Sequence, residues 1–373
     1  MLIEPILIHS NTSISKPDLD VLFRPFFQAW DIVHEQYLNQ PVDDRKMMWG
    51  AIRGMMESLE DPFSAYMDPD EYREQNTPLL GEYTGIGAWV DTSGEFLIIM
   101  SPMPNSPAEK AGLLPGDSVI GIDGEDMTSM DPTLVLKRIL GPEGSEVEIT
   151  IQRGITGEQL VFNIVREVIP IPSIESEMLE EGIGYVRLYT FGQNSTEEFI
   201  NAMIEMKQSN PRVLILDLRN NTGGYVDTAI EIASIFISDG TLMIEEMADG
   251  KRKEYQAVKS EITTDLPLVV LVNEGSASAS EIVAGALQDY DRATLIGTRT
   301  FGKGLIQNWV PLEENNGAIR ISIARWLTPK GRQIQDYGLE PNIQIELTDD
   351  DILNQVDAQL NKAIEYINGM VLN

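Results

Sequence analysis

The sequence predicts an α/β fold built from several domains, and three patterns carry that prediction. Apolar residues recur at helical spacing near the amino end, short alternating runs cut by Gly and Pro follow, and continuous apolar runs alternate with helical stretches in the second half. The chain has 373 residues, which at about 100–200 residues per domain is enough for two or three domains. The predicted division is a tail over 1–16, a helical region over 17–80, a small β-rich domain over 81–168 and an α/β domain over 169–373.

In the helical region, Phe27, Trp30, Val33 and Tyr37 share one face, as do Met48, Ile52, Met55 and Leu59. Asp61-Pro62 and Asp68-Pro69 interrupt it, because a residue before Pro is pushed out of helical geometry. From Gly81, the runs GIGAWV, FLIIM, SVIGIDG, VEITIQR and LVFNIVRE predict about five strands, with one helix over Pro132 to Leu140. From residue 169, IGYVRLYTF, RVLILDLR and LPLVVLVN are strands alternating with helices, the pattern of a parallel sheet covered on both faces. Ser195 with Glu198 predicts a capped helix start, and a last helix is predicted over Ile352 to Ile367.

Composition narrows the chemistry. Lys plus Arg number 27 against 59 Asp plus Glu, a net charge of -32 whose field repels nucleic acid and anionic membranes. There is no Cys, which removes disulfides, thiol nucleophiles and cysteine-bound metals. Only two His occur; His9 lies in the ragged amino-terminal tail, and His34 sits in a helical apolar pattern without the rest of an HExxH zinc motif, so His34 reads as structural. A Ser-His-Asp triad is thereby disfavoured, and acid/base work falls to Lys, Tyr or carboxylates. No run reaches the length of about 18 apolar residues needed to span a bilayer, and MLIEPILIHS lacks the basic start of a secretory signal.

Ligands of open parallel sheets bind beyond the carboxyl ends of the strands. Two predicted turns lie there. Arg219 to Gly224 (RNNTGG) offers glycines and N–H groups that could form an oxyanion hole, or it is a plain strand-to-helix turn. GSASASEI offers Ser276, Ser278 and Ser280, each of which could be a nucleophile or a helix cap, and local sequence leaves the choice among them open. With histidine absent, Lys303, between Gly302 and Gly304, is the candidate base, provided that burial depresses its pKa. Gly297 to Lys303 also spells the first seven positions of a phosphate-binding loop; Gly304 stands where that motif needs Ser or Thr, and LIQNWVPL reads as a strand rather than its helix.

Taken in order, AIRGMMESLEDPFSAYMDP, GEYTGIG, SPAEKAGLLPGDSVIGIDG, DLRNNTGG, NEGSASASEI, GTRTFGKGLIQ and LTPKGRQIQDYGLEPNI resemble the carboxy-terminal processing proteases. These are S41-family serine peptidases with a Ser/Lys dyad and an embedded PDZ domain, and the resemblance spans about residues 20 to 367. It implies a PDZ domain within the β-rich region and an α/β (crotonase/ClpP-like) peptidase core. By position it implies Ser278 as nucleophile, Lys303 as general base, Gln307 as the group that hydrogen-bonds the lysine, and Gly223, Gly224 and Ala279 as the oxyanion hole. Gly85, Ile86 and Gly87 become the PDZ loop for a substrate's terminal carboxylate, with Gly87 to Val90 as the accepting strand.

The implied activity is endopeptidase cleavage of proteins recognised by free, apolar carboxyl termini, with no metal or organic cofactor. The implied compartment is extracytoplasmic, the periplasm or cell envelope. The amino-terminal helices are a candidate homodimer surface. The competing reading is a non-catalytic PDZ scaffold that binds carboxyl-terminal peptides. The chain departs from the usual family pattern at Phe63, often His, at Thr222, usually Pro, at Asn342, often Asp, and at Leu140, often Arg.

Overall fold

The computed structural model describes residues 16–154, 157–354 and 356–370; His9 and the rest of the tail before Lys16 lie outside it. The amino-terminal region contains helices Arg24–Gln36, Asp44–Glu57 and Pro69–Leu80. Pro69 opens its helix instead of ending one: Asp68 accepts the N–H groups of Asp70 and Glu71, Glu71 reaches back to the Asp68 N–H, and Pro at the first position needs no partner for its missing donor. His34 joins Trp30 O and Asp44 Oδ1 and stacks on Trp30, a structural role.

This region also holds a strand that helical periodicity conceals. Ala65–Met67 pairs antiparallel with Ala318–Leu327, and Tyr66 and Met67 are buried there. Three residues are too short for alternation to register in sequence.

The β-rich region forms an antiparallel sheet with strands in chain order: Ala88–Asp91, Leu97–Pro102, Ser118–Ile122, Glu146–Arg153 and Glu158–Val165. Val147, Ile149 and Ile151 point inward with Leu97, Ile99 and Val119, and Val135 and Ile139 of helix Pro132–Ile139 cover them. A short helix, Pro107–Ala111, is additional to the expected one. Glu82–Gly85 pairs with Glu167–Pro170, so both ends of the region leave through one two-stranded neck. Among the described residues of the sheet, Ala88–Asp91 pairs only with its inner neighbour and presents a free edge.

The second half has the expected parallel core. Ile183–Leu188, Val213–Asp217, Leu268–Val272, Thr294–Gly297 and Ile343–Gln344 run parallel in that order, flanked by antiparallel Ile174–Leu179. Alternate residues face opposite layers: Leu214, Leu216, Val270 and Val272 meet helices Ser195–Gln208, Val226–Phe236 and Ala279–Asp289, while Ile215, Val269 and Leu271 meet Ala358–Met370. Beside this core stands a five-stranded antiparallel sheet of Ala65–Met67, Ala318–Leu327, Thr241–Met247, Arg252–Gln256 and Leu305–Pro311, of which only the last was foreseen.

Two local expectations change. Ser195 and Glu198 do not form a reciprocal cap; the Ser195 hydroxyl donates to Thr190 O, and Glu198 accepts the Ser173 N–H and hydroxyl instead. The last helix is two, Asp349–Leu353 and Ala358–Met370, because Asp357 turns its carboxylate to the Leu360 N–H and starts a new one.

Candidate active site

Three turns at the carboxyl ends of neighbouring parallel strands converge on one site. Two of them are stitched together by the outer serines. Ser276 Oγ donates to Leu218 O at 2.8 Å and Ser280 Oγ to Asn221 O at 2.7 Å, and both residues are fully buried. Ser278, between them, is half-buried, and its hydroxyl donates to no described acceptor. Its backbone sits at φ 55°, ψ -113°, a region that costs an ordinary residue about 1–3 kcal/mol and persists where surrounding contacts enforce it.

The enforcing contact is Glu281, three residues on and 0% exposed. One oxygen, Oε2, accepts both the Ser278 N–H and the Lys303 N–H, each at 2.9 Å. The other accepts the Gly302 N–H at 2.8 Å and the Thr300 hydroxyl at 2.5 Å. A single carboxylate therefore ties the serine turn to the lysine turn. Burial raises its pKa, and the four donors oppose that rise.

Lys303 itself has no carboxylate partner among the described residues. Its Nζ lies 5.8 Å from the centre of the Phe63 ring. Burial lowers its pKa first, the nearby Arg320 cation lowers it further, and Glu281 pulls the other way. Gln307 is not bonded to the lysine: its amide donates to Phe63 O, which also accepts Arg320 Nε at 3.0 Å. Phe63 thus belongs to the lysine's surroundings by both ring and carbonyl.

In the glycine turn, Gly223 and Gly224 adopt φ 105° and 149°. A Cβ on Gly223 would stand 2.9 Å from both Ala279 N and Ser278 Cβ, so only glycine permits this approach. The Gly223 N–H is already donated to Asn221 Oδ1 at 2.9 Å. The N–H groups of Gly224 and Ala279 have no partner among the described residues. Asn221 is fully buried and also donates to Leu188 O at 2.7 Å.

At the β-rich region, Gly85, Ile86 and Gly87 form the loop entering the free edge strand. The Ile86 and Gly87 carbonyls accept from Ala108 and Met103, which fixes the loop. Gly87 has φ 74°, and a Cβ there would lie 2.5 Å from Ser106 Cβ. The Tyr83 hydroxyl faces the Gly87 and Ala88 N–H groups, and burial pushes its pKa up. Leu140 packs against Gly85. The helix end just before it is held by buried Arg166, which donates to the Arg138 and Ile139 carbonyls.

With this geometry in view, known proteins resemble the chain along nearly its whole length. A carboxyl-terminal-processing protease of Synechocystis sp. is 33% identical over 99% of this chain and 87% of its own. The chain belongs to the S41 peptidases. The model of Peptidase family S41 matches residues 182–345 of this peptidase, a PDZ domain model matches 98–153, and the model of the activating protease CtpB N-terminal domain matches 9–71. The Bacillus subtilis carboxy-terminal processing protease CtpA is 34% identical over 95% of the peptidase and 76% of the relative. The solved photosystem II D1 C-terminal processing protease has a TM-score of 0.50 at 32% identity, covering 86% and 87% of the two chains. The protein is accordingly a serine peptidase with a PDZ domain, as its motifs implied.

Glu281, Arg320 and Tyr83 escaped the sequence reading, and Phe63, noted there only as a departure from the family pattern, borders the lysine. Only Glu281 had a local sign, its place at the third position of a helix after Ser278, and that sign is shared by every capping box. Replacing it as Glu281→Gln puts an amide donor among four donors. The expected cost is about 2–4 kcal/mol of stability, read from urea unfolding; a loss below about 0.5 kcal/mol would show that the carboxylate does not hold these turns.

Proposed function

We propose that this peptidase cleaves proteins selected by their carboxyl tails, with Ser278 as nucleophile and Lys303 as its base. The observation that carries the reading is the single buried oxygen of Glu281 that holds the backbone of both residues. Neutral Lys303 accepts the Ser278 hydroxyl proton as Oγ attacks the peptide carbonyl, and then passes that proton to the leaving amine. The Gly224 and Ala279 N–H groups receive the developing oxyanion. Gly223 shapes the hole rather than donating, and Gln307 acts on the lysine through Phe63 rather than by direct contact. Water then hydrolyses the acyl-enzyme with Lys303 again as base.

Tail selection is assigned to the free edge of Ala88–Asp91 and the Gly85–Gly87 loop. An extended, apolar tail adds to that edge as a strand, and its carboxylate takes the loop N–H groups, replacing the Tyr83 hydroxyl at Gly87. With an unfolded protein ending in apolar residues, Ser278→Ala and Lys303→Ala are expected to lower kcat by at least about 1,000-fold. Amidation of the tail is expected to raise KM for wild type. Turnover retained by either variant overturns the dyad; indifference to amidation overturns tail selection.

A lysine base works only when neutral. Its pKa is depressed by burial and by Arg320, so kcat/KM is expected to rise with pH through a midpoint below the usual lysine range. Arg320→Gln removes a neighbouring cation and moves that midpoint to higher pH. An unmoved or lower midpoint in the variant contradicts the assignment.

The amino-terminal helices are assigned to self-association. Phe23, Phe26, Phe27, Trp30, Met48, Ile52 and Met55 line an apolar cleft of about 570 Å³, and Phe27 is 60% exposed. Sedimentation of the wild type is expected to give a dimer that Phe27→Asp dissociates; a wild type that is monomeric at micromolar concentration refutes this.

A further inference from the structure

We infer that Asp357, at the start of the carboxy-terminal helix, is a positioning residue for the oxyanion donors and acts through Arg219. The inference rests on the assignment of the Gly224 N–H as one of those donors. Arg219 is the first residue of the glycine turn, and its guanidinium is nearly out of solvent. Every one of its side-chain nitrogens is engaged. Nε bonds Asp217, Nη1 bonds Asp357 at 2.7 Å and Gln359 at 3.2 Å, and Nη2 bonds Asp217 at 2.6 Å and Asp357 at 2.8 Å. Asp217 is fully buried and takes the Tyr185 hydroxyl as well, at 2.7 Å. Buried Gln359 donates to Ile345 O at 2.9 Å, which draws in the segment after the last parallel strand.

Two carboxylates on one buried guanidinium are costly to desolvate unless the geometry is well satisfied, as it is here. The two carboxylates are not equivalent. Asp217 ends the strand that leads to Arg219 and bonds Tyr185 of the neighbouring strand, so their pair ties the turn only to the sheet from which it leaves. Asp357 lies 138 residues away and ties the turn's entry to another layer of the fold.

That entry needs holding. The next residue, Asn220, has φ 58°, a left-handed conformation that asparagine tolerates but does not seek. Asn220 has one further tie, a paired bond to Asn273 at 2.8 and 2.9 Å. Beyond it, Asn221 holds the middle of the turn, and the bridge of Gly224 to Phe191 holds its exit. Losing Asp357 leaves Arg219 with Asp217 and Gln359, and a shift of this entry passes along the turn to the Gly224 N–H, while the bonds of Asn221 and the bridge to Phe191 keep the domain folded.

The test uses the full chain with Asp357→Asn, Asp357→Glu and Ser278→Ala. It measures kcat and KM on one peptide, inhibition by a peptide aldehyde whose serine adduct presents an oxyanion, and the melting temperature. Asp357→Asn is expected to lower kcat by about 10–100-fold with KM near the wild-type value. The aldehyde is expected to weaken by a similar factor, and Asp357→Glu to restore most of both. A purely structural role would lower the melting temperature while folded molecules kept their kcat and aldehyde affinity, and that result overturns the inference. An inert Ser278→Ala beside an unaffected Asp357→Asn overturns the inference alone. Wild-type turnover by Ser278→Ala overturns the site assignment and the inference with it.

Discussion

The site depends on one buried charge. Glu281 gathers a serine N–H, a lysine N–H, a glycine N–H and a threonine hydroxyl around a carboxylate with no access to water. A carboxylate left unpaired there would shift its pKa and become neutral, since an isolated buried charge is far too costly. The four donors are therefore a condition for folding this corner at all, and the positive φ of Ser278 follows from it. The fold and the disposition of the two candidate reactive residues thus have the same physical origin.

The parallel core supplies the frame. Its adjacent strands end at the same level, so the turns after Val213–Asp217, Leu268–Val272 and Thr294–Gly297 meet without long excursions. The antiparallel sheet beside it brings in the amino-terminal region. Ala65–Met67 pairs with Ala318–Leu327, and that pairing sets Phe63 against Lys303 and gives its carbonyl to Gln307 and Arg320. The environment of the lysine is consequently assembled from both ends of the chain.

Buried polar groups at this site divide into two kinds. Ser276, Ser280 and Asn221 are spent on stitching turns, and their hydrogen bonds explain why those side chains are not available for chemistry. Arg219 and its carboxylates form the second kind, a charged clamp between layers. Between them they leave the Gly224 and Ala279 N–H groups without a partner among the described residues.

The sequence by itself determined the order of the elements, the parallel core and the motifs of the S41 family, because periodicity, glycine turns and helix starts are local properties of the chain. It also placed Ser278, Lys303 and Gly224 in turns that the structure brings together. Only the tertiary structure decided which donors stay free and which partners surround the lysine. The Gly223 N–H is taken by Asn221, Gln307 turns to Phe63, and the last helix breaks at Asp357 to reach Arg219. Each of these is settled by competition among buried donors and acceptors from distant segments, and that competition leaves no trace in local spacing.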